Sequence, residues 1–460
     1  MTRRNLNEER ASAESPAGKK VTVVGLGRFG GGIGATRWLA SQGAKVTVSD
    51  KATREELEDS IRALGNVEVA LHLGGHLEED FTDADLLVVS PAVPPDMPLL
   101  MKARHRGVCV TSEINLFMQR CRAPIVGITG SVGKSTTTAM TGAILATTIT
   151  THVGGNIGTS LLEMLGQIDR THVVVLELSS FQLEQLPVIR LSPYVAVVTN
   201  LAPNHLDRHG TMDAYAQAKK NIFRFQRHND VLVLNANDPI LASWSAEAPG
   251  RVEFFQGAVL VDGEAAGPDL SSVPARPFSL TVPGGHNQAN AQAAWVAAKQ
   301  FGVSWKQAQE ALLEFHPLPH RLQFVAVRDG VKYYNDSKST TPRGAIVALG
   351  SFAPGRVIII VGGYDKGIEF EELGEHLAAR AKAVITMGAT ATKIQDAIKR
   401  YNADNKVPVV EAGDLAQAVK LARDLATQDD VILLSPACAS YDMFTNYEQR
   451  GQAFVDLATE

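Results

Sequence analysis

The chain has 460 residues, of which 45% are hydrophobic and 20% are charged, and its formal net charge is −5. This length exceeds one ordinary domain, so we expect two to four domains with their own cores. The negative charge argues against nucleic acid and against an anionic membrane as the main partner, because both attract basic surfaces. The three cysteines are widely spaced and form no disulfide or metal-ligand pattern, which is typical of a cytoplasmic protein.

The N-terminal residues 1–20 (MTRRNLNEERASAESPAGKK) are polar and charged and contain no apolar core. We interpret them as a disordered tail and not as a signal peptide. No apolar run approaches the roughly 18 residues that a membrane-spanning helix needs, so the sequence predicts no such segment.

Short apolar runs rich in β-branched residues recur along the chain, and helix-like stretches separate many of them. This alternation predicts an α/β fold in which helices cover both faces of parallel sheets. The predicted strands are Val21–Val24, Val46–Val48, Leu86–Val89, Val173–Leu176, Val195–Val198, Val231–Leu234, Val357–Val361, Ala383–Thr386 and Val431–Leu434.

Two breaks divide this pattern. The first sheet is predicted to be complete by SPAVPP (90–95), and a helix-like segment, EINLFMQRC (113–121), follows. In HPLPHR (316–321) two prolines disfavour helix on either side. Residues 252–282 lack a helical period and are predicted to form an irregular β excursion. Beyond the tail we therefore predict three domains, at residues 21–112, 113–317 and 318–460.

The first Gly-rich turn follows the strand Val21–Val24 and fits G-x-G-x-x-G with Gly25, Gly27 and Gly30. Asp50 ends the next strand run, where a carboxylate can accept a hydrogen bond from a ribose hydroxyl. The pattern indicates a dinucleotide or another nucleotide with a diphosphate, held at a helix N-terminus. NAD binding and a purely structural turn both remain open at this point.

The second Gly-rich turn is GITGSVGKSTTT (127–138), between an apolar run and a predicted helix. Gly133, Lys134 and Ser135 match the end of the Walker A pattern, although Ile128 stands where its first glycine belongs. Backbone N–H groups of such a loop cradle phosphates, the lysine reaches the outer phosphates, and the hydroxyl can bind Mg²⁺. The sequence therefore predicts a nucleoside triphosphate site.

Two candidate metal ligands follow later strands. Glu177 ends the strand in VVVLELSSFQLE, where P-loop proteins place a metal-side carboxylate; the alternative is an edge glutamate. His205 lies in TNLAPNHLDRHG, and it is either a ligand, an acid–base group or a structural histidine.

A lysine follows in the next predicted helix, DAYAQAKKNIFRF. Tyr215, Ala218, Ile222 and Phe225 recur at helical spacing and predict its buried stripe. Lys219 lies beside this stripe. Partial burial would favour its neutral amine, which can take up CO₂ to form a carbamate; the alternative is a snorkelling lysine with its charge in water.

These motifs resemble those of the Mur ligase family from about residue 20 to the C-terminus, and most closely its members that add D-glutamate. The resemblance is carried by GITGSVGKST, GGNIG (154–158), LELSSFQLE, NHLDRHG with YAQAK, GGHNQAN (284–290), LPHR (318–321), NDSKSTT (335–341), GGYDKG (362–367) and SPACASYDMFTNYEQRG (435–451). It implies a Rossmann-like UDP-binding N-terminal domain, a P-loop ATPase central domain and a Rossmann-like C-terminal domain that binds the amino acid.

The resemblance also implies a reaction. The substrates are the small molecules UDP-N-acetylmuramoyl-L-alanine, D-glutamate and ATP, and the cofactors are two Mg²⁺ ions and a CO₂-derived carbamate on Lys219. The γ-phosphoryl group of ATP activates the alanyl carboxylate as an acyl phosphate, which the glutamate amine then attacks to give an amide. The implied protein is a cytoplasmic monomer of peptidoglycan precursor synthesis.

Roles carry over to the matching residues. The implied catalytic residues are Lys134, His205, Lys219 and Lys338. One metal ion is assigned to Ser135 and Glu177, and the other to His205 and carbamylated Lys219. The implied ATP contacts are Gly130, Ser131, Val132, Gly133, Lys134, Ser135, Thr136, Asn287, Asn290, Arg321 and Asp336. The implied UDP-substrate contacts are Gly27, Arg28, Phe29, Asp50, Lys51 and Asn156. The glutamate pocket is assigned to Thr340, Lys366, Ser440 and Tyr447, together with Lys338.

The chain departs from the family pattern at several positions. Val132 replaces a usual asparagine, which predicts altered ATP affinity without loss of function. Phe29 replaces a small hydroxyl residue, and Lys51 with Ala52 stands where Thr-Arg is common. These changes, and three consecutive glycines from Gly30, leave room for a different sugar nucleotide.

Several alternatives remain. A related ligase could add L-glutamate or another amino acid, or could resemble folylpolyglutamate synthetases. A P-loop switch protein is a different class, but no N-K-x-D motif is present and only the short D-x-x-G at 207–210 fits. An inactive scaffold and an NAD-dependent dehydrogenase are the remaining readings.

Overall fold

The computed structural model describes residues 14–27, 30–256 and 277–460. Arg28, Phe29, most of the predicted tail and most of the predicted excursion lie outside these ranges. The described residues divide into two compact units, of which one contains two β-sheets and the other contains a third. Within the predicted tail, Lys20 is the first residue of a strand, and Gly18 N donates to Gly43 O at 2.8 Å.

The strands are numbered in chain order. They are β1 Lys20–Val24, β2 Lys45–Asp50, β3 Ala70–Leu73, β4 Leu86–Val89, β5 Cys109–Thr111, β6 Ile125–Thr129, β7 Thr151–Gly155, β8 Val173–Glu177, β9 Val195–Val198, β10 Val231–Asn235, β11 Arg251–Phe255, β12 Gln323–Arg328, β13 Val331–Asn335, β14 Val357–Val361, β15 Ala383–Met387, β16 Val409–Ala412 and β17 Val431–Leu434.

The α-helices follow the same numbering. They are α1 Gly31–Ser41, α2 Glu58–Leu64, α3 Glu78–Thr82, α4 Pro98–His105, α5 Glu113–Arg120, α6 Lys134–Ala146, α7 Ser180–Leu183, α8 Leu186–Ile189, α9 Leu206–His209, α10 Met212–Arg224, α11 Pro239–Ser243, α12 Gly285–Ala298, α13 Trp305–Leu313, α14 Pro342–Leu349, α15 Glu371–Arg380, α16 Ala391–Lys399, α17 Leu415–Leu425 and α18 Tyr447–Thr459.

The first sheet is parallel throughout and has the order β3-β2-β1-β4-β5. The prediction that it is complete by residue 95 is wrong, because β5 pairs with β4 fourteen residues later, from Cys109 to Thr111. This edge strand has three residues, too few to show a periodic pattern.

The second sheet is also parallel, with the order β11-β10-β9-β6-β8-β7. Its central strands β6, β8 and β9 are buried along their whole length, as continuous apolar runs in a doubly covered sheet should be. One continuous apolar cluster includes Trp38 and Leu39 of the first sheet's helix α1 together with Leu161 and Leu162, which follow β7.

The third sheet has the order β12-β13-β17-β14-β15-β16, and only the edge pair β12–β13 is antiparallel. All nine predicted strand runs are strands, which confirms the α/β prediction. The strands that sequence reasoning missed are mainly exposed edge strands or the two amphipathic strands β12 and β13, where continuous apolar runs are absent. Within the described ranges, no helix combines the length and the apolar character needed to cross a membrane.

Candidate active site

The second Gly-rich turn links the buried strand β6 to the helix α6, which begins at Lys134. Gly130 and Gly133 have φ angles of 151° and 82°, which side-chain-bearing residues rarely adopt. A Cβ atom on Gly130 would lie 1.9 Å from Thr199 Oγ1, so only glycine fits this close approach. The N–H groups at the start of α6 therefore face the turn, which is the geometry of a phosphate-binding loop.

The residues after β9 hold this loop from the side. Thr199 Oγ1 and Asn200 Nδ2 both donate to Val132 O, at 2.8 and 2.9 Å, and Val132 N donates to Asn200 Oδ1 at 3.0 Å. Sequence reasoning missed both residues, although the pair Thr-Asn directly after a buried strand was a usable signal. The Val132 side chain itself is 41% exposed, so the departure from asparagine leaves the backbone fixed by its neighbours.

A second contact joins the loop to the helix α10. Ser131 Oγ donates to Ala202 O at 2.8 Å and lies 3.1 Å from the Tyr215 hydroxyl. Tyr215 is 1% exposed and belongs to the predicted stripe of this helix. Ala218 and Ile222 are buried as predicted, whereas Phe225 lies just beyond the helix and is half-buried, and Phe223 is buried in its place.

Lys134 lies over the loop from which it starts. Its Nζ donates to Gly130 O and Ser131 O, both at 3.0 Å, which places the ammonium group at the mouth of the phosphate-binding turn. Ser135 is buried at 1% exposure directly after it, and Thr136 is half-buried. These positions suit a phosphate and a hydroxyl-bound cation at the start of α6.

Glu177 ends β8, which pairs directly with β6, the strand that leads into the loop, and is only 2% exposed. Its Oε1 accepts a hydrogen bond from Asn156 Nδ2 at 2.8 Å, while Oε2 is buried and has no hydrogen-bond partner among the described residues. A buried carboxylate oxygen without a partner is costly unless a cation neutralises it. The buried Oε2 atom of Glu177 is therefore a suitable ligand for a divalent cation.

The Asn156 contact follows from the pairing of β7 and β8, in which Gly155 lies opposite Glu177. Asn156 N donates to Glu177 O at 2.8 Å, and a Cβ on Gly155 would lie 2.3 Å from the same oxygen. Sequence reasoning placed Asn156 at the sugar nucleotide; the structure shows that its amide also orients the Glu177 carboxylate.

Lys219 is buried at 1% exposure in α10, so the alternative of a snorkelling side chain is wrong. Its Nζ donates to Gly130 O at 2.8 Å and lies 4.6 Å from the centre of the Tyr215 ring. Burial lowers the pKa of Lys219 well below its ordinary value, the nearby charge of Lys134 lowers it further, and Glu177 opposes this shift. A neutral amine is therefore favoured directly beside the phosphate loop.

His205 precedes the short helix α9 with a φ of 54°, an uncommon conformation for a residue with a side chain. Its ring packs edge-on against Phe181, with the ring centres 5.0 Å apart. Desolvation lowers the pKa of His205, the charge of Lys134 adds to the shift, and Asp207 opposes it. The imidazole is thus kept in the neutral form that binds metals. Within the described ranges, no three His, Cys, Asp or Glu residues form a metal-binding group by themselves.

The first Gly-rich turn is organised by Asp50, which is 8% exposed. Its Oδ2 accepts from Leu26 N at 2.8 Å and Gly27 N at 3.4 Å, and its Oδ1 accepts from Ala52 N at 2.9 Å. Asp50, which was predicted to accept a hydrogen bond from a ribose hydroxyl, therefore also fixes the conformation of the turn. A Cβ on Gly32 would lie 2.3 Å from Leu26 O, which explains one of the consecutive glycines. Lys51 is exposed beside it.

Five of the predicted residues in the part of the chain that forms the third sheet lie in the loops that follow β13, β14 and β17, whereas Tyr447 begins α18 and Arg321 precedes β12. The strands β13, β14 and β17 are adjacent and parallel, so their loops meet at one edge of the sheet. They carry Asp336, Lys338, Thr340, Lys366 and Ser440. Lys366 is exposed, Thr340 is half-buried, and Ser440 is 2% exposed.

Lys338 and Asp336 have different surroundings in this edge. Lys338 Nζ lies 5.1 Å from the centre of the Tyr447 ring. Asp336 accepts from Leu322 N at 3.1 Å and Ser435 Oγ at 2.7 Å, and burial raises its pKa to about 6.

Asn290 Nδ2 donates to Asn287 Oδ1 at 3.1 Å, so these two predicted ATP contacts at the start of α12 touch each other.

Arg450 is a residue of this edge that sequence reasoning missed. Its guanidinium is completely buried and donates to Ser337 O at 2.9 Å and Cys438 O at 3.1 Å, which ties the loops after β13 and β17 together. Cys438 is 3% exposed, and burial raises its pKa to about 11, which is typical of an unreactive cysteine that packs in the interior.

The fold and these sites define a three-sheet α/β protein with a phosphate-binding loop beside a buried lysine and a buried carboxylate. Three sequence models match the chain: a MurD-like Mur ligase N-terminal domain at residues 19–112, a Mur ligase middle domain at 128–298, and a Mur ligase glutamate ligase domain at 320–438. The chain belongs to the Mur ligase family.

Named relatives cover nearly the whole chain. The UDP-N-acetylmuramoylalanine–D-glutamate ligase of Symbiobacterium thermophilum is 42% identical over 95% of this chain and 97% of its own length. The enzyme of the same name from Roseiflexus sp. is 41% identical over 95% of this chain and 98% of its own length. Among solved structures, the UDP-N-acetylmuramate–alanine ligase of Thermotoga maritima has a TM-score of 0.62 at 21% identity, covering 96% of this chain and 99% of that one, which shows a shared fold.

Proposed function

We propose that the chain is an ATP-dependent, ADP-forming ligase that joins D-glutamate to UDP-N-acetylmuramoyl-L-alanine in peptidoglycan precursor synthesis. The observation that carries the proposal is the phosphate loop, with Lys134 at its mouth and buried Lys219 bonded to Gly130 O behind it. The names of relatives at 42% and 41% identity supply the substrates.

The reaction brings a carboxylate and a polyphosphate together, so charge neutralisation is its main requirement. Lys134 is placed to hold the outer phosphates against the N-terminus of α6. The alanyl carboxylate takes the γ-phosphoryl group, ADP leaves, and the acyl phosphate then loses phosphate when the glutamate amine forms the amide bond.

Two Mg²⁺ ions fit the donors that the chain offers. The buried Oε2 of Glu177 and the Ser135 hydroxyl would hold one ion, and His205 with a carbamate on Lys219 would hold the other. Bound Mg²⁺ neutralises phosphate charge and orients phosphate oxygens for transfer. Asn156 keeps the Glu177 carboxylate in position through its bond to Oε1.

The surroundings of Lys219 support the proposed carbamate. The lowered pKa favours its neutral amine, whose nitrogen lone pair forms an N–C bond with CO₂ while one proton is released. The product carries a negative charge and two oxygen donors, and so converts a buried cation site into an anionic ligand. Lys134 and bound cations would stabilise this anion.

The remaining assignments stay proposals on the family resemblance. Asn287, Asn290, Arg321 and Asp336 would contact ATP. Lys338, Thr340, Lys366, Ser440 and Tyr447 would form the glutamate pocket, where exposed Lys366 is the right group to pair with a carboxylate that does not react. The first Gly-rich turn, with Gly27, Asp50 and Lys51, would hold the UDP diphosphate together with Arg28 and Phe29. A cytoplasmic monomer also remains a prediction; within the described residues the three cysteines form no disulfide.

Phosphate release tests the proposal. The chain is incubated with ATP, Mg²⁺ and UDP-N-acetylmuramoyl-L-alanine, and with D-glutamate, L-glutamate or no amino acid. We expect release that depends on D-glutamate. Release with L-glutamate alone would move the specificity to a neighbouring ligase, release without any amino acid would favour a nucleotide-hydrolysing switch, and no release would contradict the sugar-nucleotide assignment.

A further inference from the structure

Arg208 reaches from the helix α9, beside His205, to the turn that follows β4. Its Nη1 donates to Ala92 O at 3.3 Å and its Nη2 donates to Val93 O at 3.1 Å. The guanidinium also lies over the Phe181 ring, 4.8 Å from its centre. One side chain thus connects the second sheet's active-site edge with a turn of the first sheet.

The turn that Arg208 holds spans residues 90–95 and lies beside the first Gly-rich turn. Ser90 N donates to Val24 O at 2.9 Å, and a Cβ on Gly25 would lie 2.9 Å from the Ser90 Cβ. The turn is therefore packed against the first Gly-rich turn. In the order β3-β2-β1-β4-β5, the chain adds β2 and β3 on one side of β1 and then crosses to β4 on the other side. Sheets of this kind bind ligands in a crevice at the carboxyl ends of the two strands where the order reverses, here β1 and β4.

The Phe181 ring, over which the Arg208 guanidinium lies, is held by further aromatic contacts. Phe181 packs against His205 and stacks on His209, with ring centres 5.0 and 5.3 Å apart. His209 is itself bonded to Glu184 at 3.2 Å and to Ser180 Oγ at 3.0 Å. The Phe181 ring is therefore held by contacts that do not depend on Arg208, and it gives the guanidinium a fixed surface on which to lie.

We propose that Arg208 is a positioning residue for the diphosphate of the sugar nucleotide: it fixes the turn at residues 90–95 as the second wall of the crevice beside Gly25. The inference rests on the proposed function only for the identity of the sugar nucleotide. The chemistry needs an arginine, because its planar fork can donate to two successive carbonyl oxygens while its face lies on an aromatic ring.

A second arginine provides a matched control. Arg37 of α1 forms an ion pair with Glu163 at 3.1 Å, and this pair also joins the first sheet's helices to the segment that follows β7. Both of its side chains are more than a third exposed, and neither touches the turn at residues 90–95. If Arg208 only held two parts of the unit together, loss of either arginine would have the same kind of effect.

The experiment measures binding of UDP and of ADP by calorimetry to the wild type, Arg208→Lys and Arg37→Gln. We expect Arg208→Lys to raise the Kd for UDP about tenfold, because one ammonium group cannot replace the guanidinium that donates to both Ala92 O and Val93 O. The Kd for ADP should stay within about twofold, and Arg37→Gln should change neither Kd by more than about twofold. Melting temperatures show whether each variant is folded.

Hydrogen exchange of the wild type gives a second readout that needs no variant. UDP should slow exchange at Ala92 and Val93 and in the segment that contains Arg208, whereas protection confined to the first Gly-rich turn would overturn the inference. Equal weakening of UDP and ADP binding in Arg208→Lys, or a change no larger than in Arg37→Gln, would also overturn it, as would a wild type that binds no uridine nucleotide. UDP binding without D-glutamate-dependent phosphate release would contradict the proposed function alone.

Discussion

The two Gly-rich turns of the chain begin alike and are held in place differently. Each follows a buried parallel strand, each uses glycines with positive φ, and each leads into a helix. The first turn is held by the Asp50 carboxylate, which accepts hydrogen bonds from Leu26 N and Gly27 N, and by Ser60 Oγ, which donates to Gly27 O at 2.8 Å. The second is held by side chains from other elements, among them Thr199, Asn200 and Tyr215, and has two lysines at its carbonyl groups.

The difference concerns what each turn does. A turn that only binds a diphosphate can rely on backbone N–H groups and a helix N-terminus. A turn at which phosphoryl transfer takes place must also neutralise phosphate charge, and we propose that Lys134, together with metal ions held in part by a carbamate on Lys219, does so at the second turn. We therefore expect substitutions in the first turn to weaken binding of the sugar nucleotide, and substitutions in the second turn to lower the rate of turnover.

The largest expected effect is at Lys134. Lys134→Ala removes the ammonium group at the mouth of the second turn, and we expect turnover to fall about a thousandfold or more. The Kd for the sugar nucleotide should change by less than about twofold, because that ligand is assigned to the first turn. Phosphate release and calorimetry measure the two quantities. Normal turnover would contradict the P-loop assignment, and loss of both would remove the proposed division between the turns.

The next effect concerns Lys219. Lys219→Ala should lower turnover at least about a hundredfold, since it removes a proposed metal ligand, and short carboxylates such as formate or acetate should restore part of the activity. Lys220→Ala is the matched control, because the neighbouring Lys220 forms an ion pair with the exposed Glu247. Full activity of Lys219→Ala without added carboxylate would eliminate the carbamate proposal.

A pair of substitutions tests the comparison directly. Asp50→Ala leaves two backbone N–H groups of the first turn, at Leu26 and Gly27, without their acceptor, and Asn200→Ala removes two of the hydrogen bonds that hold Val132 in the second. We expect Asp50→Ala to raise the KM for the sugar nucleotide about tenfold and Asn200→Ala to raise the KM for ATP about tenfold, each with little effect on the other substrate. Steady-state kinetics with each substrate varied gives both values, and equal effects on both substrates would show that the turns are not independent.

Residues in local motifs could be predicted from the sequence, whereas residues whose role depends on contacts between distant segments could not. Lys134, Ser135 and Glu177 were predicted because each follows an apolar strand run at a characteristic spacing. The apolar runs and the spacing can both be read directly from the sequence. Thr199, Asn200 and Arg450 were missed because their contacts join segments far apart in the chain. The burial of Lys219 was left open because helical spacing placed it beside the stripe, while its neighbours from β6 decide its environment. The short edge strand β5 was missed because three residues carry no period.

The smallest expected effect is at Val132, where the chain departs from the family pattern. Val132→Asn restores the usual residue on a side chain that is 41% exposed, while the backbone of the loop stays bonded to Thr199 and Asn200. The change should therefore lower the KM for ATP by no more than about threefold and leave kcat nearly unchanged, which corresponds to one weak solvent-exposed contact. Val132→Ala is the control that removes side-chain bulk without adding an amide, and its KM should match the wild type. A large change in kcat for Val132→Asn would mean that the neighbouring strand does not fix the loop by itself, and that the residue at this position sets its geometry.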